Sequence, residues 1–314
     1  MGAWRLDALL GINALLLKLG VATLVAWLLL LGANALILYG LRAPRLTYPG
    51  PLRGEFGVAQ EVRIPTRNHK TLTGWFVPGS AAAGSPAVVV MHGWGANASL
   101  MQGCLAPLQA AGLGVLLLDA RCHGRSDGEP FTSLPRFAED IEAGLAWLAA
   151  QPLVDPKRLA VIGHSVGAGA ALLAATRHSE VRAVVSISAF AHPHEVMLRY
   201  LASHRIPYPL VGWYVLRHVQ QVIGARFDAI APLRSMAHLD IPVLLVHGRE
   251  DEMVPLDDAR RLLAVGRSGS VRLLEVPGRH DLRTALDQHL PEITDFLQQA
   301  LQSAGVRSTP GVSA

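Results

Sequence analysis

The chain has 314 residues, 51% of them hydrophobic and 17% charged, with a formal net charge of +4 at pH 7. This length can bury one large core or two small ones. No dense run of lysine or arginine occurs, which argues against nucleic-acid binding and leaves only a mild attraction to anionic lipid headgroups. Cys104 and Cys122 form no CxxC pair, so no metal site is predicted, and either two reduced thiols or one disulfide remains open.

The first predicted element is an apolar N-terminal helix. Between residues 8 and 41 the only charged residue is Lys18, and residues 19 to 41 carry no charge. A helix of that length spans the hydrocarbon layer of a bilayer, which is about 30 Å thick. We therefore predict that residues 1 to 41 are a single-pass membrane anchor, with the span at about 19 to 41 and the lipid bilayer as a partner.

A cleaved signal peptide is the alternative for this segment. The sequence "ANA" at residues 33 to 35 has the small-x-small pattern of a cleavage site. The apolar run continues beyond it, which favours an uncleaved anchor. Basic residues flank the span almost equally on both sides, so the side of the membrane is left open.

Residues 42 to 57 are rich in proline, glycine and arginine and are predicted to be a linker. Apolar strand patterns then alternate with helical ones, and the first two strands resemble exposed edge strands. The predicted strands cover residues 58–64, 71–77, 87–92, 114–119, 158–164, 181–188, 242–248 and 271–278. The predicted helices cover residues 99–111, 135–150, 166–178, 256–265 and 284–301.

This alternation predicts an α/β protein with a mostly parallel sheet and helices on both faces. In such sheets the functional site lies at the carboxyl ends of the strands. Residues 190 to 234 interrupt the pattern and are predicted to form a small helical cap. Residues 302 to 314 are predicted to be a disordered tail. The strand ends carry His92, Asp119, Ser165, Ser188, Gly248 and Pro277.

The segment "GHSVG" places Ser165 between a predicted strand and a predicted helix. A sharp strand-to-helix turn exposes the serine at the top of the sheet, and side chains two residues away on either side would collide with backbone. Gly163 and Gly167 remove those side chains. The pattern therefore predicts a nucleophile elbow with Ser165 as the nucleophile.

A serine nucleophile needs a base, and the base needs an orienting acid. Asp251 follows one late strand and His280 follows the last strand, in the chain order serine, acid, histidine. Glu250 and Glu252 flank Asp251, and the residues alone leave all three open as the acid.

Backbone N–H groups must also hold the negative charge that forms on an attacked carbonyl. The glycines of "MHGWGAN", residues 91 to 97, allow the N–H of Trp94 to turn inward and act with the N–H of Val166. These two residues are predicted as the oxyanion hole. His92, in the same segment, is assigned no chemistry.

These motifs together resemble the α/β-hydrolase superfamily over residues 58 to 301. "DARCHGRSDG" at residues 119 to 128 is similar to the D-x-R-G-H-G-x-S segment of the branch that contains monoacylglycerol lipases and serine aminopeptidase-like hydrolases. Cys122 stands where that branch has glycine, which predicts a differently shaped loop. The resemblance of "HGREDEMVP" to H-G-x-x-D-x-x-V-P implies Asp251 as the acid, and "PGRHD" resembles the segment that carries the histidine. An eight-stranded sheet is the implied fold.

The resemblance implies a serine hydrolase with the triad Ser165, Asp251 and His280, working through an acyl-enzyme without metal or cofactor. The anchor and the aromatic cap favour an apolar small-molecule acyl substrate, so a carboxylesterase or lipase acting on an ester or thioester is predicted. Alternatives are a peptidase or amidase, for which Glu195 is a candidate to bind a free amine, and a non-catalytic binding protein. Acyl length, leaving group and oligomeric state are left open.

Overall fold

A computed structural model describes residues 3–80, 84–281 and 283–306. Helix α1, Ala3–Gly40, comes first. Between residues 13 and 33 its side chains are exposed, and Leu17 and Leu29 are each 70% exposed. A core helix would bury such side chains. The span Asn13–Gly40 is long and apolar enough to cross a membrane, a property it shares with signal sequences.

Ten strands lie within the described residues, and eight of them form one sheet. The two short ones, β1 Arg53–Gly54 and β2 Gly57–Val58, pair as a small hairpin. The sheet contains β3 Gln60–Thr66, β4 Lys70–Val77, β5 Ser85–Met91, β6 Gly114–Leu118, β7 Val154–His164, β8 Val181–Ile187, β9 Val243–Gly248 and β10 Val271–Val276. The helices after α1 are α2 Leu105–Ala110, α3 Leu134–Ala149, α4 Val166–Ala175, α5 Pro193–Ser203, α6 Trp213–Ile223, α7 Pro232–His238, α8 Leu256–Val265 and α9 Arg283–Val306.

The strand order in the sheet is β10-β9-β8-β7-β5-β6-β4-β3. Only the β3–β4 and β4–β6 pairs are antiparallel. The prediction of a mostly parallel, eight-stranded sheet is therefore confirmed. The expectation that the first two strands both lie at an edge is wrong for β4, which pairs with a strand on each side and has six buried residues.

The core consists of two apolar layers, one on each face of the sheet. Successive side chains of β5 alternate between them: Val89 and Met91 face the layer under α3 and α4, whereas Val88 and Val90 face the layer under α2 and α9. This alternation follows from the two-residue repeat of a strand. It explains why β5 is apolar from residue 86 to residue 91, as a strand covered on both faces must be.

The segment between β8 and β9 holds α5, α6 and α7, and the turn Tyr208–Gly212 joins α5 to α6. A small separate cluster stabilises it, formed by Leu201, Leu216, Val219 and Phe227. The end of α1 packs on this cluster through Ile37. Leu41, which directly follows the helix, packs on the cluster as well. The hydroxyl of Tyr214 in α6 also donates to Asn34 Oδ1 at 2.6 Å.

Both ends of the domain differ from the expected boundaries. Residues 42 to 57, predicted as a linker, lie against the domain and carry the β1–β2 hairpin. At the other end, α9 continues to Val306 and takes up the first five residues of the predicted disordered tail. The rest of that tail, residues 307–314, lies outside the described residues.

A buried ion-pair network fixes the loop after β6. The guanidinium of Arg121 is fully buried and contacts Asp140 at 2.7 Å and Glu129 at 3.2 Å. The backbone N–H of Arg121 also donates to Asp140, at 2.8 Å. Because Asp140 belongs to α3, the network ties this loop to a helix of the sheet's outer layer. The loop is the "DARCHGRSDG" segment.

Replacing Arg121 by Met is expected to lower the free energy of unfolding by about 3–5 kcal/mol, because buried carboxylates lose their cation. Urea unfolding of the full chain in detergent measures this change. The matched control is Arg260→Met, because Arg260 pairs with Glu275 at 2.9 Å on the surface, with its side chain 57% exposed. That pair is expected to contribute less than about 1 kcal/mol. Equal losses in the two variants would contradict the prediction.

Candidate active site

Ser165 lies on a strained turn between β7 and α4. Its backbone has φ 55° and ψ −118°, a conformation that costs a residue with a side chain energy. The turn is fixed by the N–H of Ser165, which donates to the carbonyl of Ile187 in the neighbouring strand at 2.8 Å. The serine side chain is only partly buried, so its hydroxyl is accessible at the top of the sheet.

At both glycines of the turn, backbone atoms of neighbouring residues occupy the space that a side chain would need. A Cβ at Gly163 would lie 2.2 Å from the carbonyl oxygen of Gly167. A Cβ at Gly167 would lie 2.3 Å from the carbonyl oxygen of His92, at the end of β5. Real Cβ atoms do not approach backbone so closely, which is the steric condition of a nucleophile elbow. The turn therefore brings Ser165 against the loop that follows β5.

Three of the predicted residues meet in one hydrogen-bonded chain. His280 Nε2 lies 2.9 Å from Ser165 Oγ, and His280 Nδ1 lies 2.8 Å from Asp251 Oδ2. The Asp251 side chain is fully buried, whereas that of His280 is 17% exposed. With Nδ1–H donating to the carboxylate, Nε2 is left as the acceptor for the serine hydroxyl proton.

The environment of Asp251 favours its charged form. Burial alone would raise the pKa of this carboxyl, but hydrogen bonds from His280 and from the N–H of Val254 outweigh it, and the pKa lies below its usual value. The second oxygen accepts the N–H groups of Met253 at 3.0 Å and Val254 at 2.8 Å. Asp251 is thus a fixed anion facing His280.

Neither neighbouring glutamate occupies that position. Glu250 accepts a hydrogen bond from the N–H of Gly278 at 2.5 Å, which ties the loop before His280 to the loop that carries Asp251. Glu252 is 81% exposed and lies 3.9 Å from Arg279. The contact with His280 is therefore made by Asp251, the middle residue of the three.

The loop after β5 lies directly beside the serine. A Cβ at Gly93 would lie 3.2 Å from Ser165 Cβ. The carbonyl of Gly93 accepts hydrogen bonds from His92 Nδ1 at 2.7 Å and from the N–H of Ala96 at 3.2 Å. Because N–H and C=O point in opposite directions across a trans peptide, these two bonds also fix the direction of the Trp94 N–H.

A buried, neutral histidine therefore orients the predicted oxyanion donor. His92 Nε2 accepts the N–H of Ala120 at 3.1 Å, so the ring proton resides on Nδ1 and is donated to Gly93. Burial lowers the pKa of His92 to about 4, which keeps the ring neutral near pH 7. From the sequence alone, His92 is assigned no chemistry. Its position at the end of a strand and before a glycine was the signal that could have indicated a role in the site.

A second histidine holds the next peptide of the same loop. His123 Nε2 accepts the N–H of Gly95 at 3.1 Å, and its Nδ1 donates to the carbonyl of Arg121 at 2.9 Å. Burial, followed by the nearby His92, lowers the pKa of His123 to about 3. Farther along, Asp119 Oδ1 accepts the N–H of Ala98 at 2.7 Å. The predicted strand-end residue Asp119 therefore positions a loop.

The second predicted donor, the N–H of Val166, lies in the first turn of α4, where N–H groups have no partner inside the helix. Within the described ranges, the N–H groups of Val166 and Trp94 donate to no protein acceptor. Val166 follows Ser165 in the chain, and Trp94 follows Gly93. The two N–H groups are thus carried by the two segments that meet at the serine.

His164 is a site residue that the sequence did not single out. Its Nε2 lies 3.0 Å from the backbone carbonyl of His280, and the two rings are 5.2 Å apart. Burial lowers the pKa of His164 to about 4, so the neutral ring donates to that carbonyl. His164 thereby supports the backbone of His280. The two residues are 116 positions apart in the chain, so no local pattern could pair them.

Cys122 adopts a backbone conformation that favours glycine. Its φ is 70°, in the left-handed region that glycine adopts without strain. Its thiol accepts the N–H of Glu129 at 3.2 Å, and burial raises its pKa. The different loop shape that the replacement of glycine by Cys122 suggests stays a prediction. Cys122 and Cys104 are both buried, and no disulfide joins them in the described structure.

Glu195, considered as an amine-binding residue, is occupied by an ion pair. Both of its oxygens accept from Arg261 in α8, at 2.7 and 2.8 Å. These hydrogen bonds lower the pKa of Glu195 despite its partial burial. Its charge is therefore already compensated within the protein.

The chain is similar to a known protein family and to individual known proteins. The model of a family described as "Serine aminopeptidase, S33" matches residues 84–221. An uncharacterised protein of Mycobacterium tuberculosis is 31% identical over 219 residues, which cover 70% of this chain and 71% of the relative. The thiohydrolase apmlB of Arthrinium phaeospermum is 37% identical over 134 residues, covering 42% of this chain and 43% of the thiohydrolase.

A solved structure has the same fold. The esterase Pf2001 of Pyrococcus furiosus superposes with a TM-score of 0.65 and 21% identity, covering 83% of this chain and 99% of the esterase. At this identity the likeness concerns the arrangement of strands and helices.

Replacing Gly167 by Ala is expected to lower the free energy of unfolding by roughly 3 kcal/mol or more, because the new Cβ would overlap the carbonyl of His92. Gly169→Ala, in the same helix, is the matched control. A Cβ there would meet only side-chain atoms, of Leu134 at 3.0 Å and Pro232 at 3.1 Å, which can shift. Thermal unfolding of both variants tests this difference, and a stable Gly167→Ala protein would refute it.

Proposed function

The chain belongs to the α/β-hydrolase superfamily, in the family of its mycobacterial relative, and we propose that it is a membrane-anchored serine hydrolase of carboxylic esters or thioesters. The observation that carries the proposal is the continuous hydrogen-bonded chain from Ser165 through His280 to Asp251. A serine hydroxyl becomes nucleophilic when such a base accepts its proton.

In the first step of the proposed reaction, Ser165 Oγ attacks the acyl carbonyl while His280 Nε2 takes the hydroxyl proton. The imidazolium that forms is stabilised by the buried Asp251 carboxylate, which also holds the ring in the required tautomer. His280 then gives the proton to the leaving alcohol or thiol, and the acyl group remains on Ser165. No change in the position of the ring is required.

The negative charge of the tetrahedral intermediate is held by the N–H groups of Trp94 and Val166. Each such donor contributes about 3–4 kcal/mol to the transition state in well-studied cases. The bonds from His92 and Ala96 to the carbonyl of Gly93 support this role, because they fix the Trp94 N–H before substrate binds.

In the second half of the reaction, water attacks the acyl-enzyme. His280 acts again as the base, deprotonating the water, and then returns the proton to Ser165 Oγ. The carboxylic acid leaves and the enzyme is regenerated. The chain's own residues supply every proton transfer in this cycle.

An apolar acyl group is the proposed substrate class. The indole of Trp94 is 40% exposed beside the serine loop, and several aromatic and aliphatic side chains of the cap are exposed. A thioester substrate is favoured additionally by the likeness to a thiohydrolase. A carboxylesterase or lipase that accepts esters and thioesters agrees with both observations.

A peptidase or amidase is the second candidate, because residues 84–221 match a family that is described as "Serine aminopeptidase, S33". An aminopeptidase needs an anionic group to bind the free amine of its substrate. Glu195, the candidate considered for that role, is engaged by Arg261 through two hydrogen bonds. The ester or thioester proposal is therefore preferred.

The anchor is proposed to remain on the mature protein. Cleavage after Ala35 would remove Asn34, whose side chain bonds Tyr214 of the cap, and the exposed apolar surface of α1 needs a bilayer to cover it. These contacts support an uncleaved helix over a signal peptide.

Wild-type protein is expected to react with a fluorophosphonate probe, and Ser165→Ala is expected to abolish the labelling, because the probe requires an activated serine. The matched control is Ser188→Ala, which removes a buried strand-end hydroxyl without a hydrogen-bond partner in the described structure and should leave labelling intact. Asp251→Asn should slow labelling by about 10²–10⁴-fold, whereas Glu252→Gln should not.

Absence of labelling in a folded wild type would refute the hydrolase proposal and favour a non-catalytic binding protein. If labelling occurs, a panel of acyl esters, thioesters and aminoacyl amides separates the candidates. A preference for aminoacyl amides over apolar esters and thioesters would favour the peptidase.

Full-length protein expressed in cells is expected to stay in the membrane pellet after alkaline carbonate extraction, because a span of this length is held by the hydrophobic effect. Mass spectrometry of the purified protein is expected to find residues 1 to 41 still attached. A variant with Leu28→Arg and Leu29→Arg should pass to the soluble fraction, since charges at mid-span are costly. A mature chain that begins after Ala35 would establish a signal peptide instead.

A further inference from the structure

The segment that leaves the apolar helix, residues 41 to 48, lies along the domain as a strap. Its carbonyl at Leu41 accepts the N–H of Thr132 at 3.1 Å. The side chain of Arg42 donates to the carbonyl of Pro130 at 3.2 Å, and that of Arg45 to the carbonyl of Ser126 at 3.0 Å. A linker that only tethered the domain would not need these contacts.

The strap touches the loop that carries the oxyanion donor. Gly95 packs on Pro44 so closely that a Cβ at Gly95 would lie 2.9 Å from Pro44 Cγ. The buried side chain of Asn97 donates to the carbonyl of Leu46 at 2.9 Å. Gly95 is thus held between Pro44 on one side and the imidazole of His123, which accepts its N–H, on the other.

The end of the strap reaches the same loop through a buried carboxylate. Tyr48 donates its hydroxyl proton to Asp119 Oδ2 at 2.9 Å and accepts the indole N–H of Trp75 at 2.5 Å. The other oxygen of Asp119 accepts the N–H of Ala98 at 2.7 Å. Loss of the Tyr48 hydroxyl would leave Asp119 Oδ2 with only the N–H of Arg125, at 2.9 Å, and so weaken the hold on the carboxylate that fixes Ala98.

We propose that the strap is a positioning element of the active site, which holds the loop of residues 93 to 98 so that the Trp94 N–H faces the reacting carbonyl. It acts through the packing of Pro44 on Gly95, the bond from Asn97 to Leu46, and the link from Tyr48 through Asp119 to Ala98. The inference rests on the proposed function, because it concerns the donor assigned there to the oxyanion. The strap residues themselves do not touch the substrate.

The test compares two full-length variants in detergent, each lacking one tyrosine hydroxyl that connects the N-terminal region with the domain. Tyr48→Phe breaks the bond to Asp119, whereas Tyr214→Phe, the matched control, breaks the bond to Asn34 in α1 and leaves the loop untouched. Pro44→Gly is a second strap variant, which removes the ring that packs on Gly95.

Two readouts separate positioning from general stability. Amide hydrogen exchange of the peptide that contains residues 93 to 98 should accelerate about tenfold in both strap variants and stay unchanged in Tyr214→Phe. The kcat for a short-chain ester, per active site titrated with fluorophosphonate, should fall about tenfold in the strap variants with KM within twofold, because the oxyanion donor acts in the transition state. Titration with fluorophosphonate counts only folded sites whose serine reacts, so a loss of folded protein does not lower the kcat per site.

The outcomes distinguish the two proposals. A labelled wild type, together with unchanged exchange and unchanged kcat per site in both strap variants, overturns the strap inference alone. An equal fall of kcat in Tyr214→Phe overturns it as well, because the effect would then belong to the helix rather than to the loop contacts. A folded wild type that is not labelled overturns the proposed function, and the positioning role with it.

Discussion

The close approach of the β7–α4 turn to the end of β5 is the constraint on which the site depends. A Cβ at Gly167 would overlap the carbonyl oxygen of His92, and a Cβ at Gly163 would overlap the backbone of Gly167. This approach lets Ser165 keep its strained backbone and brings it against Gly93. Ser165 and the loop that contains Gly93 are thereby fixed by one packing contact, so a methyl group at Gly167 would disturb both.

The histidines of the site fall into two groups. His92 and His123 are fully buried and His164 is partly buried, and burial lowers their pKa values to about 4, 3 and 4, so each remains a neutral ring with one donor and one acceptor nitrogen. Such rings suit the fixing of peptide groups, because their protonation does not change near neutral pH. His280 differs in its contacts, because its two nitrogens face the hydroxyl of Ser165 and the carboxylate of Asp251, as the base of the proposed reaction requires.

The features that sequence predicts well are local. Strand periodicity, the glycines around Ser165 and the order of serine, acid and histidine depend on a few neighbouring residues, and the sheet and the site geometry agree with them. The errors concern partners distant in the chain. An alternating pattern cannot tell that β4 has a second neighbour in β6. No local pattern pairs His164 with His280 or Asn97 with Leu46, since only the folded chain brings these residues together.

The N-terminal region meets the domain at two places, and each has a different consequence. The end of α1 packs on the cap through Ile37 and the Asn34–Tyr214 bond, so a bilayer around α1 would hold the cap near its surface. The strap then continues to the loop beside Ser165. If α1 is the anchor that we propose, the chain that fixes the enzyme to the membrane also orders part of its active site. Attachment of this kind would suit the apolar acyl substrate that we propose, because it would place both the cap and Ser165 on the chain segment that leaves the lipid.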